Sequence, residues 1–337
     1  MNSMKPAVSI NEEICRKTGL LIKELRPRKT FYERPFLKIP APEEIRLRGY
    51  FYAVAICHQT YNLHHPGLNL YGWDYIEHVF SGLMKDQHQL LQPGFLAGTG
   101  NAGVQSLLAG LFSPDQKPEN TSLDRLEERA FMLTELDRFV GDNFRSSLEY
   151  LVQNANGYLV FRGKGFYEIL SDLAAFSDPK RKKVTFLIKL LEEARLVKVK
   201  DTCNFIPIMD YHMQRVLMRL GCVEVNDSSL REKLVAKILL PDDIEIRNTC
   251  IDAFRLISDI SGHAVTKLND FFWSLGRSCC NYEPLCRTGR CEKQPCTFFE
   301  IVELQEHTRC RFEKVCKGFQ DEGYRQLWQP IVDTNYY

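Results

Sequence analysis

The chain has 337 residues, 44% hydrophobic and 26% charged, the balance of a globular protein of one large or two ordinary domains. A formal net charge of +1 argues against a polyanion-coating protein or an acidic tail and leans toward a small substrate. No run reaches the roughly 20 apolar residues of a membrane span, and the opening residues lack a signal peptide's apolar core, so a cytoplasmic location is expected.

In chain order, residues 56–78 (ICHQTYNLHHPGLNLYGWDYIEH) are denser in His, Tyr, Asn and Trp than packing requires. Pro and Gly cluster at 92–103 (QPGFLAGTGNAG) and 113–120 (SPDQKPEN), which read as loops. From Leu126 the spacing of Leu126, Phe131, Leu133, Leu136 and Phe139 predicts a helix, with a cap within Ser122–Arg125. Residues 156–165 (NGYLVFRGKG) read as a short turn or hairpin. KVTFLIKLLEEARLVKV, SLREKLVAKILL, EIRNTCIDAFRLISDI and VTKLNDFFWSLGR continue the helical period. The expected fold class is therefore all-α, in two helical lobes followed by a cysteine-rich module.

Of twelve cysteines, Cys15, Cys57, Cys203, Cys222 and Cys250 are scattered and read as ordinary thiols. The other seven crowd between Cys279 and Cys316, and in a reducing compartment such crowding points to metal rather than disulfides.

The stretch 206–221, IPIMDYHMQRVLMRLG, holds the strongest local signal. Pro207 keeps Ile206 out of a helix, Met213, Val216, Leu217 and Leu220 recur at helical spacing, and Gly221 supplies a stop. Asp210 thus sits at a helix N-terminus, either as a plain cap or as a carboxylate held ionised by the helix amides for chemistry.

Through Asp210, His212, Arg215, Val216, Arg219, Leu220 and Gly221 this stretch resembles the catalytic-aspartate segment of the helix-hairpin-helix DNA glycosylase superfamily. KKVTFLIKLL is similar to the lysine-bearing segment of the archaeal 8-oxoguanine glycosylases, although the Leu-Pro-Gly-Val-Gly hairpin is absent. Over residues 120–275, LEERAFMLTELDRFVGDNF, LVQNAN, FSDPKRKKVTF, MDYHMQRVLMRLG, DIEIRNTCIDAF and LNDFFWSLG occur in the order of the queuosine salvage family. These are queuosine 5′-phosphate N-glycosylases, whose Asp-Tyr-Arg reads Asp210-Tyr211-His212 here.

Both resemblances imply cleavage of a base–sugar bond. Asp210 would stabilise an oxocarbenium-like transition state and activate water. A glycosylase with lyase activity would attack with a lysine instead, for which Lys182, Lys183 and Lys189 are candidates. Lys182 is otherwise a phosphate-binding group and the basic run a solvated face. His58, Asn62, Trp73, Asp74 and His212 are candidates for holding the base or nucleotide; aromatics at such spacing are also ordinary core.

The segment GRSCCNYEPLCRTGRCEKQPC resembles the iron–sulfur loop that closes endonuclease III-like glycosylases. That resemblance implies a [4Fe–4S] cluster, with zinc as the alternative, on Cys280, Cys286, Cys291 and Cys296. Cys279 is the other choice of first ligand; Cys310, Cys316 and His307 complete or shield the site. The implied division is a base-pocket region over 1–120, a catalytic core over 121–275 and a metal module over 276–337. The expected substrate is a modified purine or 7-deazapurine nucleotide, with DNA the rival partner and no membrane partner; the alternatives are an iron–sulfur DNA base-excision glycosylase and a non-catalytic nucleic-acid-binding protein of the same fold.

Overall fold

A computed structural model describes residues 6–305 and 307–337. Helices dominate it, and the strands among the described residues form only two two-stranded sheets. No helix is long and apolar enough to cross a membrane. The chain divides into two compact units, Met1–Phe31 with Ile206–Asp333, and Tyr32–Phe205 with Thr334–Tyr337. These divisions do not follow the expected boundaries near 120 and 275. The first unit joins the start of the sequence to residues 206–333, and strand Val8–Ile10 pairs antiparallel with Val223–Val225 across that join.

In that first unit the helix Glu12–Lys23 is capped by Asn11, whose side chain accepts from the Ile14 amide. It lies close against Ile244–Ser261, where a Cβ on Gly19 would sit 2.7 Å from Ile260. The helix Tyr211–Leu220 runs through the same unit. Its sequence period suggested one apolar face, yet Met213 to Leu220 are buried on every side. Gln214, Arg215 and Arg219 share that burial because each finds an acceptor: Asp243 for Gln214 and backbone carbonyls for the two arginines.

The second unit is built round a buried guanidinium. Arg48, on the helix Glu43–Ala55, donates to Glu44 (2.8 Å), Asp137 (2.7 Å), Tyr52 (2.7 Å) and the Ser146 carbonyl (2.8 Å). Asp137, on the helix Leu126–Phe144, also accepts from the amides of Gly94 and Ala97. That contact explains a departure from the sequence reading. Residues 92–103 were expected to be a loop, but Phe95–Leu111 is helical with a kink at Gly100, because a carboxylate from a distant helix caps its first turn. The helix at Leu126 lacks the expected cap: Arg125 stands in the left-handed region and makes no side-chain capping bond. Phe131 is 46% exposed rather than core. Residues 113–120 form a loop ending in a short 3-10 turn. The 156–165 segment is a turn, not a hairpin, its amides collected by the carboxylates of Asp201 and Glu168.

Replacing Arg48 with Met leaves Asp137 buried without its cation. The expected loss is about 3–5 kcal/mol of unfolding free energy, read as a lower denaturant midpoint. An unchanged midpoint would show that the pair contributes nothing.

Candidate metal centre and candidate catalytic residues

The helix Val265–Ser274 ends in one π turn, Leu275–Cys279, closed by the Cys280 amide on the Leu275 carbonyl at 2.8 Å. Such wide turns often stand at functional sites. The turn presses on the helix Tyr211–Leu220, since a Cβ on Gly276 would lie 2.8 Å from the His212 carbonyl oxygen and 2.9 Å from its Cβ. It delivers Cys279 to the interior. The chain then loops back to Cys291 and Cys296, and the helix Thr297–Ile301 follows at once, its first amide bonded to Ser278 Oγ at 2.9 Å.

Cys279, Cys291, Cys296 and His307 bring one ligand atom each within 4.8 Å of one another. The thiols are 3.6 Å (Cys279–Cys296), 3.6 Å (Cys279–Cys291) and 3.4 Å (Cys291–Cys296) apart. His307 Nε2 lies 3.0 Å from Cys279 Sγ and 3.6 Å from Cys291 Sγ. The three cysteines are buried, and hydrogen bonds from Cys279 and Cys291 hold the Cys296 thiol far below the usual range. Three sulfurs and an imidazole at these separations can hold a metal ion.

The structure therefore distributes the expected ligands differently. Cys291 and Cys296 belong to this group, Cys279 takes the first place, and His307 takes the fourth. Cys280 and Cys286 are not members. The cause is local: Cys279 and Cys280 are consecutive in a helical turn and leave it in different directions. Cys280 faces the Tyr211–Leu220 helix, its Sγ 3.7 Å from Arg219 Nη1 and its carbonyl 3.0 Å from Arg215 Nε. Cys286 stands on the short helix Leu285–Thr288.

Asp210 is the N-cap of the Tyr211–Leu220 helix, in extended backbone, with Oδ1 accepting from the Met213 amide at 3.1 Å. It is 7% exposed. Asn269 fixes the approach to it by bonding the Ile208 amide (2.9 Å) and carbonyl (3.3 Å). His212 Nδ1 lies 3.3 Å from Arg215 Nη2, and its ring leans on Tyr211. Arg215 is buried beneath Trp328, and that burial lowers it to about 10.

The second unit holds the other candidates. Lys182, Lys183 and Lys189 are not a solvated face; all three are buried. Lys183 Nζ donates to the Ala55 carbonyl at 2.9 Å and lies 3.1 Å from His58 Nδ1. Burial pushes Lys183 down to about 7, and burial together with Lys183 pushes His58 down to about 3. The far nitrogen of His58 is 3.6 Å from Glu128. Lys182 lies over the Phe186 ring and 3.9 Å from Cys57 Sγ. His58, Lys182 and Lys183 thus come together. Lys189 instead pairs with Glu193 at 2.7 Å. Trp73 donates to Glu77 at 2.9 Å and packs on Phe36 and Phe186. Asn62 is exposed, and Asp74 is half-buried on the same helix as Trp73.

The depressed Lys183 sets a pH dependence with a definite sign. An unfolded lysine titrates near about 10.4, so between about pH 7 and pH 10 the unfolded chain binds more protons and stability rises with pH. Lys183→Met is expected to remove on the order of 4 kcal/mol from that rise. Urea midpoints taken across the range for both proteins check it; parallel curves would mean that Lys183 titrates normally.

Compared with known proteins, the chain matches no family model and no curated protein.

Proposed function

We propose that this chain is a cytoplasmic N-glycosidase of helix-hairpin-helix glycosylase-like fold. It cleaves the base–sugar bond of a modified purine or 7-deazapurine nucleotide of the queuosine 5′-phosphate kind. The observation that carries the reading is Asp210: a carboxylate behind an extended Pro207 segment, oriented by the Met213 amide at a helix N-terminus. That position favours the ionised form, the form needed to offset positive charge on the sugar and to take a proton from water. His212, the next-but-one residue, contacts Arg215 and would help to orient the nucleotide.

The ion we assign to Cys279, Cys291, Cys296 and His307 is zinc. Zn–S bonds of about 2.3 Å set sulfurs at the corners of a tetrahedron with edges of about 3.8 Å, close to the 3.4 to 3.6 Å between these thiols. Zinc here fixes the π turn against the helix that begins at Asp210 and takes no part in the reaction.

A second reading rests on Lys183. An amine near neutrality is a nucleophile, so a DNA glycosylase with lyase activity is the rival. Both are tested by incubating the protein with queuosine 5′-phosphate and with single- and double-stranded DNA bearing 8-oxoguanine, uracil or a 7-deazaguanine, following free base by mass spectrometry. Free 7-deazaguanine-type base from the nucleotide supports the first reading. Base released only from DNA, with a borohydride-trapped adduct lost in Lys183→Met, replaces it with the second. Release from neither sinks both.

A further inference from the structure

Four cysteines of the module remain outside the first metal group: Cys280, Cys286, Cys310 and Cys316. Two of them, Cys280 and Cys316, meet at the C-terminal end of the Tyr211–Leu220 helix. Arg219 joins these two, its Nη1 lying 3.7 Å from Cys280 Sγ while its carbonyl accepts from the Cys316 thiol at 3.5 Å. Cys310 and Cys316 bracket one tight run of turns, in which the Glu313 amide bonds to the Cys310 carbonyl and the Cys316 amide to that of Phe312. Cys286 lines a hollow of about 340 Å³ with Arg287, Phe319, Glu322 and Arg325. The Phe319 amide in turn bonds to the Cys316 carbonyl. Each of the four thiols lies within electrostatic reach of the other three.

Nothing else explains the convergence. These are four half-buried free thiols with no disulfide among them, and burial pushes Cys316 up to about 12. Clustered free thiols are an oxidative liability, whereas thiolates on a metal are not.

We propose that Cys280, Cys286, Cys310 and Cys316 form a second, separate metal centre, and that it holds a [4Fe–4S] cluster. The contrast with the first group selects the cofactor. There the thiols touch, as ligands of one ion must. In this quartet no thiol–thiol hydrogen bond occurs among the described residues, while all six pairs remain within electrostatic range. A cubane places each cysteine on a different iron, so its four sulfurs stand apart. Binding replaces four S–H bonds with four Fe–S bonds, and the four protons leave to solvent. The dianionic product finds Arg219 beside Cys280 and Arg325 beside Cys286 to balance it. The two centres interleave along the chain, and the neighbours Cys279 and Cys280 belong to different ones.

The test uses full-length protein expressed with ample iron and purified without oxygen, assayed for iron, acid-labile sulfide and zinc, with Mössbauer spectra on labelled iron. The expected composition is four irons and four sulfides per chain beside one zinc. Cys310→Ser/Cys316→Ser should lose the iron and sulfide and keep the zinc, whereas Cys291→Ser/Cys296→Ser, which removes the ion the module folds around, should lose both. Two zincs without sulfide would overturn the cluster. So would iron lost with Cys291 and Cys296 but not with Cys310 and Cys316, or a chain with no metal beyond the first ion. None of these readouts depends on glycosidase activity.

Discussion

Chelating the ion from Cys279, Cys291, Cys296 and His307, or replacing Cys291 and Cys296 with serine, is expected to unfold the C-terminal module. Apparent binding energies of structural zinc in small sites are about 10–16 kcal/mol, and where the site does not exist in the unfolded chain that energy is folding energy. The module has little else. From Cys280 to Tyr324 its helices are only four or five residues long, too short to be stable alone. The apolar anchors Phe298, Ile301, Val302 and Phe312 are held in place by turns that the ligands close. Limited proteolysis should cut the double variant between 280 and 315 while the second unit, which shares none of these residues, stays resistant. Wild-type resistance in a variant shown to lack the ion would refute a structural role for it.

The second large effect concerns turnover. Asp210→Asn is expected to leave the fold intact and to reduce base release by about 10²–10³ or more, the scale of losing one charge-stabilising group in a reaction centre. The substitution is informative because Asn caps helices as well as Asp does. Its side-chain oxygen can still accept from the Met213 amide, so the cap itself is kept. Arg215 loses a nearby anion but keeps the Cys280 and Gly276 carbonyls. Asp210→Ala removes the cap as well and should cost about 1 kcal/mol. An Asn variant with full turnover beside a destabilised Ala variant would reduce Asp210 to a cap.

Both outcomes depend on how local a signal is. Asp210 at the mouth of its helix was legible because Pro207, the apolar period and Gly221 lie within one short stretch, and the structure places the boundary where they imply. The helical character of the segments from 182 onward was legible for the same reason. The helix at Phe95–Leu111 was not: its glycines disfavour helix, and the compensating carboxylate, Asp137, lies some forty residues away. Nor was the burial of Lys183. A KRKK run reads as a solvated face until tertiary structure supplies the Ala55 carbonyl and His58.

The cysteines divide the same way. Their number and their crowding between 279 and 316 were enough to point to metal. Which thiol goes with which was decided by the tertiary structure alone. Spacing orders ligands along one line, so Cys280, Cys286, Cys291 and Cys296 read as one quartet. In three dimensions a π turn sends Cys279 and Cys280 apart, and later segments bring His307 to one group and Cys310 and Cys316 to the other. A ligand set is a property of distances in space, and a turn one residue wider than an α-helix is enough to change it.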